Sequence, residues 1–366
     1  MNFAVVRNIG WLTIEKLLRL PAVVLTTVII ARYLGPNDFG ALSYAMALLS
    51  LFAIFGGLGL NQILLREFNL HPKNADQLII ASVTAIFFAA TFSSIIINII
   101  ALTFLDPNVA SLVAVGTGIL YLKISDVLFC YFDADVRAKV YLKPQLLFLT
   151  IAVFVKISLV QFEFSIIYFM LVNVLEPLGV ILTVTYKLYI EKNFTSANWK
   201  LNHRLMKKLL RDSWPLAITA LAVSLYMKVD QLMIGSILGL EEVASYTIAV
   251  KITEMTYFIP SVIILSYFPQ LQKTYAISEK EFEREFRKII FGTIIFTILI
   301  ISIMTIAADD LILLLYGENY SSASDLVKIY ILNLLFVSFG IVGGKWYLLK
   351  NLQKISMYRA CLGILV

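Results

Sequence analysis

Charged side chains inside strongly apolar stretches are the residues of this sequence best suited to chemistry. Placing one charge at the centre of a bilayer costs at least about 2.5–3.5 kcal/mol, so such charges must pair or face a water-filled cavity. The basic members outnumber the acidic ones, which favours an anionic ligand. The set comprises Lys16, Arg19, Lys123, Lys156, Lys228, Lys251, Lys328, Glu15, Asp126, Glu176, Asp230 and Glu254.

The charges of the stretch IEKLLRL (14–20) must lie at membrane depth, because the uncharged run after them is short. Only twelve residues separate Arg19 from Arg32. They form about 18 Å of helix, whereas the hydrocarbon layer is about 30 Å thick. Glu15, Lys16 and Arg19 share one side of the helix, and Glu four residues before Arg is a favourable order for an ion pair. We therefore predict a one-sided charged stripe within the bilayer.

The other embedded charges differ in their spacing. Two pairs at i, i+3 can form along single helices, Lys123–Asp126 and Lys251–Glu254. Lys228 and Asp230 lie about 160° apart around a helix, so each needs a partner on another helix. Lys156 and Glu176 stand singly on neighbouring apolar stretches. Together these charges predict a polar cavity between helices.

A structural alternative is that some of these charges only pair between packed helices or snorkel to the membrane surface. It applies most to Lys16, Lys328 and Glu176, which lie near span ends or have few neighbouring charges. A cavity-lining role is favoured for Arg19, Lys123, Lys228, Asp230 and Lys251.

The composition assigns the whole chain to the membrane. Of its 366 residues, 60% are hydrophobic and 15% charged, whereas soluble domains are about 45–50% apolar and about 25% charged. The apolar segments are continuous and do not alternate, which predicts an all-α polytopic membrane protein. Residues 1–31 indicate a retained first span and not a signal peptide, because charges interrupt the apolar run and no cleavage site follows.

Apolar windows predict ten complete spans and the start of an eleventh near 352: 10–33, 39–61, 78–104, 109–132, 145–161, 164–186, 213–237, 243–268, 289–308 and 322–344. Nearly all Lys and Arg residues at the span ends and between the spans fall in alternate segments, and Arg32, at the end of the first span, is the exception. By the positive-inside rule this bias predicts a cytoplasmic N-terminus. It also explains the net charge of +6 without nucleic-acid binding.

Several kinds of chemistry are disfavoured. The longest loop, 187–212, has no room for a catalytic domain, so the sequence predicts a protein that is not an enzyme. The DAD stretch at 133–135 matches a pattern that binds metal and sugar nucleotide in glycosyltransferases, but no nucleotide-binding domain accompanies it. Cys130 and Cys361 lie in apolar surroundings, and His71 and His203 stand alone, so we expect neither a metal site nor another cofactor. No phosphate-binding loop motif for direct ATP coupling occurs.

An internal repeat indicates two similar halves. IIARYLGPNDFGALSYAMAL (29–48) aligns with MIGSILGLEEVASYTIAVKI (233–252), and Gly35 falls on Gly239. The offset covers six spans, and an even number makes the halves parallel in the membrane. The implied architecture is two pseudo-symmetric six-helix lobes.

The stretch R-Y-L-G-P-N-D-F-G (32–40) resembles the opening of polysaccharide flippases, of the O-antigen or capsule type, in the multidrug/oligosaccharidyl-lipid/polysaccharide exporter superfamily. SYFPQLQKTYA (266–276) and LLYGENYSSASDLVKI (314–329) are similar to later parts of the same family. The resemblance implies an N-terminal lobe at 1–190, a basic cytoplasmic linker at 191–212 and a C-terminal lobe at 213–366. Members usually have twelve to fourteen spans, so we expect this chain, which ends at Val366, to be a fragment or a truncated product.

The resemblance implies transport of undecaprenyl-diphosphate-linked oligosaccharides from the cytoplasmic to the outer leaflet of the bacterial inner membrane. The partners would be this lipid-linked glycan, the bilayer and the polysaccharide polymerase machinery. The predicted substrate-binding residues are Glu15, Lys16, Arg19, Lys123, Asp126, Lys156, Lys228 and Lys251. Asp230, Glu254 and Glu176 would couple transport to a proton or sodium gradient.

Three alternatives remain open. An ion-coupled antiporter of small molecules from the multidrug branch shares the two-lobe design. A membrane enzyme of glycan assembly has similar hydropathy but needs long outer loops, which are lacking in this sequence. A non-transporting scaffold for protein contacts is the third alternative.

Overall fold

The computed structural model describes residues 3–192 and 201–350, and all regular structure in these ranges is helical. The all-α class predicted from hydropathy is confirmed. The helices are α1 (Phe3–Gly57), α2 (Leu60–Leu70), α3 (Ala75–Phe104), α4 (Pro107–Gly116), α5 (Gly118–Tyr121), α6 (Ile124–Ala134), α7 (Lys139–Gln161), α8 (Ile166–Lys192), α9 (His203–Ile237), α10 (Leu240–Thr256), α11 (Phe258–Ile277), α12 (Glu279–Tyr316), α13 (Ser322–Tyr330) and α14 (Asn333–Leu349).

The α1 segment consists of two helices joined at Gly35. This residue has φ 74° and ψ 174°, a conformation that glycine adopts without the strain a side chain would add. Within the described residues, nine helical segments are long and apolar enough to cross a membrane. The first of them, Gly10–Leu70, contains two of the ten predicted spans. The predicted eleventh span lies outside the described residues.

Two of the spans are interrupted within their length. The second predicted span, within the segment Gly10–Leu70, breaks at Leu58 and Gly59, which have φ 52° and 63°. The helix α2 begins directly after them. The fourth, Pro107–Ala134, is divided into α4, α5 and α6, and Lys123 lies at the start of α6. Such breaks leave backbone groups outside regular helix, which a membrane protein tolerates only where they face protein or a cavity.

The residue contacts form two compact units, Met1–Val243 and Ala244–Val366. In the first unit, α2, α3, α6 and α7 share an apolar core that includes Leu64, Phe68, Phe132 and Tyr141. In the second unit, a smaller cluster joins α11, α12 and α14 around Phe282. The lobes at 1–190 and 213–366 stay a prediction, and part of the linker, 193–200, lies outside the described residues.

The repeat found in the sequence recurs in the helices. Gly35 and Gly239 both have positive φ, at 74° and 103°. The same offset of 204 residues places the start of α3 on the start of α12. It also superposes exposed apolar side chains, such as Phe87 on Phe291. The two halves therefore share a glycine of positive φ at the equivalent turn and exposed apolar side chains on the equivalent helix.

Candidate functional site

The charged stripe of the first span forms an ion-pair cluster. Arg19 Nε donates a hydrogen bond to Glu15 Oε1 on the same helix. Its Nη1 lies 3.9 Å from Glu176 Oε1 on α8, and Glu176 also acts electrostatically on Lys156 of α7. Two acids and two bases thus neutralise one another. Lys16, beside them on α1, is exposed.

A second group surrounds the break before α6. Lys123 Nζ lies 3.6 Å from Asp126 Oδ2, as the i, i+3 spacing predicted. Asn61 Nδ2, at the start of α2, donates a hydrogen bond of 3.3 Å to the same Asp126 oxygen. The two helix breaks are therefore linked to each other through Asp126.

This second group lines a cavity of about 560 Å³ within the first unit. Polar side chains from three stretches of chain face it: Ser50, Asn61, Gln62, Lys123, Asp126, Thr219, Ser224 and Lys228. Apolar side chains, including Ile54, Val223 and Met227, complete the wall. Among the residues that the structure describes, no carboxylate lies within 4 Å of Lys228 Nζ. Two lysines against one aspartate leave the cavity wall net positive.

The cavity depends on a close approach of α2 to α9 at Gly59. A Cβ at this position would lie 2.5 Å from the backbone nitrogen of Ala217, closer than side-chain atoms pack. Gly59 also has φ 63°, which strains any other residue. At Gly57, by contrast, the nearest atom to an added Cβ would be Lys123 Cδ at 3.9 Å. Gly59 is thus specifically required for the packing of α9 beside the cavity.

The remaining predicted residues lie elsewhere. Asp230, on α9, is half-buried and accepts a hydrogen bond of 2.7 Å from the backbone of Gln231. In the second unit, Lys251 is half-buried and Glu254 is exposed on α10. Lys328 pairs with Asp309 at 2.7 Å and with Asp325 at 3.2 Å, so it belongs to an ion-pair cluster. Between residues 3–192 and 201–350, no group of three His, Cys, Asp or Glu side chains could hold a metal ion.

Sequence reasoning missed Asn61 and Gln62 as cavity residues. It selected charges, and uncharged amides carry no comparable penalty in an apolar span. The signal that could have found them is the cluster of glycines at Gly56, Gly57 and Gly59 just before them, because glycine weakens a helix and marks a close backbone approach.

Comparison with known families decides the class of protein. The sequence profile of the family described as "Polysaccharide biosynthesis protein" matches residues 5–275. The chain belongs to this family. A second profile, MatE, matches residues 215–366, and the two matches together place the chain in the multidrug/oligosaccharidyl-lipid/polysaccharide exporter (MOP) superfamily. The predicted family and the prediction of a transporter that is not an enzyme are confirmed.

Solved structures confirm the fold of this family member. An inward-facing multidrug resistance MATE transporter of the MOP superfamily has a TM-score of 0.70 and 14% identity, over 98% of this chain and 87% of that chain. A MOP superfamily transporter from Pyrococcus furiosus has a TM-score of 0.60 and 14% identity, over 99% and 84%. A eukaryotic MATE transporter has a TM-score of 0.58 and 14% identity, over 97% and 86%. No curated protein sequence matches significantly.

Proposed function

We propose that this transporter flips undecaprenyl-diphosphate-linked oligosaccharide repeat units from the cytoplasmic to the outer leaflet, for surface polysaccharide synthesis. The observation that carries the proposal is the cavity of about 560 Å³ with Lys123 and Lys228 in its wall. Membership of the polysaccharide biosynthesis protein family supports the glycan as cargo.

The cavity chemistry suits a diphosphate with sugars attached. Lysine ammonium groups bind phosphate oxygens as point charges, and their attraction strengthens where water is partly excluded. Asn61 and Gln62 offer amide groups, and Ser50, Thr219 and Ser224 offer hydroxyls, to sugar hydroxyl groups. Asp126 holds Lys123 in place at 3.6 Å, and Lys228 is left to meet the anion.

The cycle would follow alternating access. The lobes rock and expose the cavity first to one side of the membrane and then to the other, while the prenyl tail stays in lipid. In this proposal Arg19 does not meet the substrate, because Glu15 and Glu176 already neutralise it. Lys16, Lys156 and Lys251 are not among the residues that line this cavity. In this proposal they support the site at most and do not contact the substrate.

We also propose that a proton or sodium gradient drives the cycle. Asp230, Glu254 and Glu176 are the carboxylates proposed to take part, as the sequence predicted. The location would be the cytoplasmic membrane of a bacterium with the N-terminus inside, which the bias of Lys and Arg supports. A polysaccharide polymerase would take up the flipped product.

A reconstituted flipping assay tests the cavity. Proteoliposomes receive a fluorescent undecaprenyl-diphosphate oligosaccharide, and quenching from outside reports the fraction that has crossed. We expect Lys123→Gln and Lys228→Gln each to lower the flipping rate at least about ten-fold, because each removes one charged contact to the diphosphate.

The matched control is Lys73→Gln, which removes the same charge from an exposed position in the short helix Pro72–Asn74. It should flip at the wild-type rate. Unchanged flipping by both cavity variants, in protein of normal thermal stability, would contradict the assignment of the site.

A second candidate function is ion-coupled antiport of small molecules. The MatE profile match at 215–366 favours it. Uptake of a cationic dye by the same proteoliposomes under a proton or sodium gradient separates the two functions. Gradient-driven dye transport without glycan flipping would select the antiporter.

A further inference from the structure

The α12 helix is long enough to project beyond the bilayer at its N-terminal end. It has 38 residues, or about 57 Å of helix. Its uncharged part runs from 289 to 308, between Lys288 and Asp309, and measures about 30 Å, the thickness of the hydrocarbon layer. Lys288 therefore marks one membrane surface, and residues 279–288 lie in and beyond the headgroup layer.

The projecting part has two different sides. Phe282 and Phe286 are buried in the apolar cluster of the second unit. The exposed side chains Lys280, Arg284, Arg287 and Lys288, with Ser278, Glu281 and Glu283, line a cavity of about 720 Å³. Among the residues that line this cavity four are basic and two are acidic, so the lining is net positive, although residues 279–288 as a whole contain four of each kind. The projecting part lies between the predicted spans 243–268 and 289–308, in one of the alternate segments that hold most of the Lys and Arg residues and are predicted to be cytoplasmic.

The basic side continues directly into an apolar face. Phe291 and Ile295 follow Arg284 by seven and eleven residues, so each differs from it by only about 20° around the helix, on opposite sides. Phe291 and Ile295 are 67% and 53% exposed. The stripe is thus charged at the depth of the phospholipid headgroups and apolar at the depth of the acyl chains.

Comparison with α3 separates the two parts of the stripe. The offset of 204 residues matches the exposed Phe291 with the exposed Phe87, so the apolar face is common to both halves. The positions matching Arg284, Arg287 and Lys288 are Ile80, Val83 and Thr84. Because α3 lacks the basic residues, they are not a requirement of the repeated fold.

The basic groups keep capacity for a ligand. Lys288 Nζ lies 2.8 Å from Glu285 Oε1, and Arg287 Nη2 lies 3.9 Å from Glu283 Oε2. Arg287 nevertheless has 82% of its side chain exposed. In the part of the chain that the structure describes, no carboxylate lies within 4 Å of the Arg284 guanidinium.

We propose that this stripe is a binding site for an anionic glycerophospholipid of the cytoplasmic leaflet. The phosphodiester binds Arg284, Arg287 and Lys288, since guanidinium and ammonium groups form charge-assisted hydrogen bonds with phosphate oxygens. The acyl chains lie along Phe291 and Ile295. The site is distinct from the transport cavity, and its occupancy does not depend on the identity of the transported substrate.

Native mass spectrometry of the detergent-solubilised full chain, titrated with phosphatidylglycerol, tests the site. We expect the variant Arg284→Gln/Arg287→Gln/Lys288→Gln to bind phosphatidylglycerol at least about ten-fold more weakly than wild type, because each basic group contributes to attraction of an anionic headgroup. Arg284→Gln alone, which leaves both ion pairs intact, should weaken binding less but measurably. Phosphatidylcholine should bind wild type and variants alike.

The control variant Lys73→Gln/Lys207→Gln/Lys273→Gln removes the same charge from exposed residues on three other elements. It should bind phosphatidylglycerol as wild type does. Wild-type binding by the Arg284 triple variant would overturn the proposal, and so would an equal loss in the control, which would indicate diffuse attraction. Displacement of the lipid by equimolar glycerol 3-phosphate would assign the site to a free phosphate and would also overturn it.

Discussion

At the residue scale, the charges within the spans fall into two kinds. Arg19 is neutralised by two carboxylates, because Glu15 and Glu176 are both paired with it. These two side chains are only 12% and 18% exposed. Lys228 lines a cavity and has no carboxylate within 4 Å among the described residues. We therefore propose that a basic side chain serves helix packing at Arg19 and ligand binding at Lys228.

Arg19→Gln should destabilise the protein and leave the chemistry of the cavity unchanged. The substitution leaves the largely buried Glu15 without its paired cation and removes one of the two cations near Glu176, at a cost of about 1–3 kcal/mol. We expect a lower apparent Tm in detergent, partly restored by the second substitution Glu15→Gln. Lys16→Gln, which changes an exposed neighbour, should leave the apparent Tm unchanged. If Arg19→Gln abolished glycan flipping at an unaltered Tm, Arg19 would instead be a substrate-binding residue.

At the element scale, broken helices build the cavity. The interruption at Leu58 and Gly59 starts α2 beside the cavity, and the one before Ile124 brings Lys123 to its wall. Beside these breaks, Asn61 and Lys123 both contact Asp126, at 3.3 Å and 3.6 Å.

Gly59→Ala should disrupt this arrangement. The new Cβ would meet the backbone of Ala217 at 2.5 Å, and a positive φ adds strain of about 1–3 kcal/mol. We expect a large drop in apparent Tm and in the monodisperse fraction by size-exclusion chromatography. Gly57→Ala, whose Cβ has room, should change neither by much. Equal behaviour of the two variants would show that α9 does not need the close approach at Gly59.

At the scale of the whole molecule, the basic segments between spans predict the orientation. Short cytoplasmic loops carry an excess of Lys and Arg, so a consistent bias predicts the direction of every span. Lys73, in the short helix Pro72–Asn74, and Asn108, in the first turn of α4, are exposed and lie at opposite ends of the predicted third span.

Cysteine labelling tests this orientation. In a background with Cys130→Ala and Cys361→Ala, an impermeant maleimide added to intact cells should label Asn108→Cys and not Lys73→Cys. Permeabilised cells should label both, which controls for reactivity. Labelling of Lys73→Cys alone in intact cells would reverse the predicted topology.

Much of the fold was accessible from the sequence because membrane insertion depends on local hydropathy. The ten spans, the turn at Gly35 and its counterpart at Gly239 all follow from residues within about twenty positions of one another. Helix breaks inside a span were less accessible. Gly56, Gly57 and Gly59 weaken the helix locally, but the close approach of α9 to Gly59 is seen only in the structure.

The candidate site shows the same division. The sequence by itself determined which charges are embedded in apolar spans, that Glu15 can reach Arg19 and Lys123 can reach Asp126, and that the chain repeats. These results depend on helical geometry and on the cost of burying charge, which act over short distances. Only the tertiary structure decided that Arg19 also meets Glu176, and that Lys228 shares a cavity with Lys123. These contacts depend on how helices that are distant in the sequence pack together. The local spacing of residues does not determine which of their side chains meet.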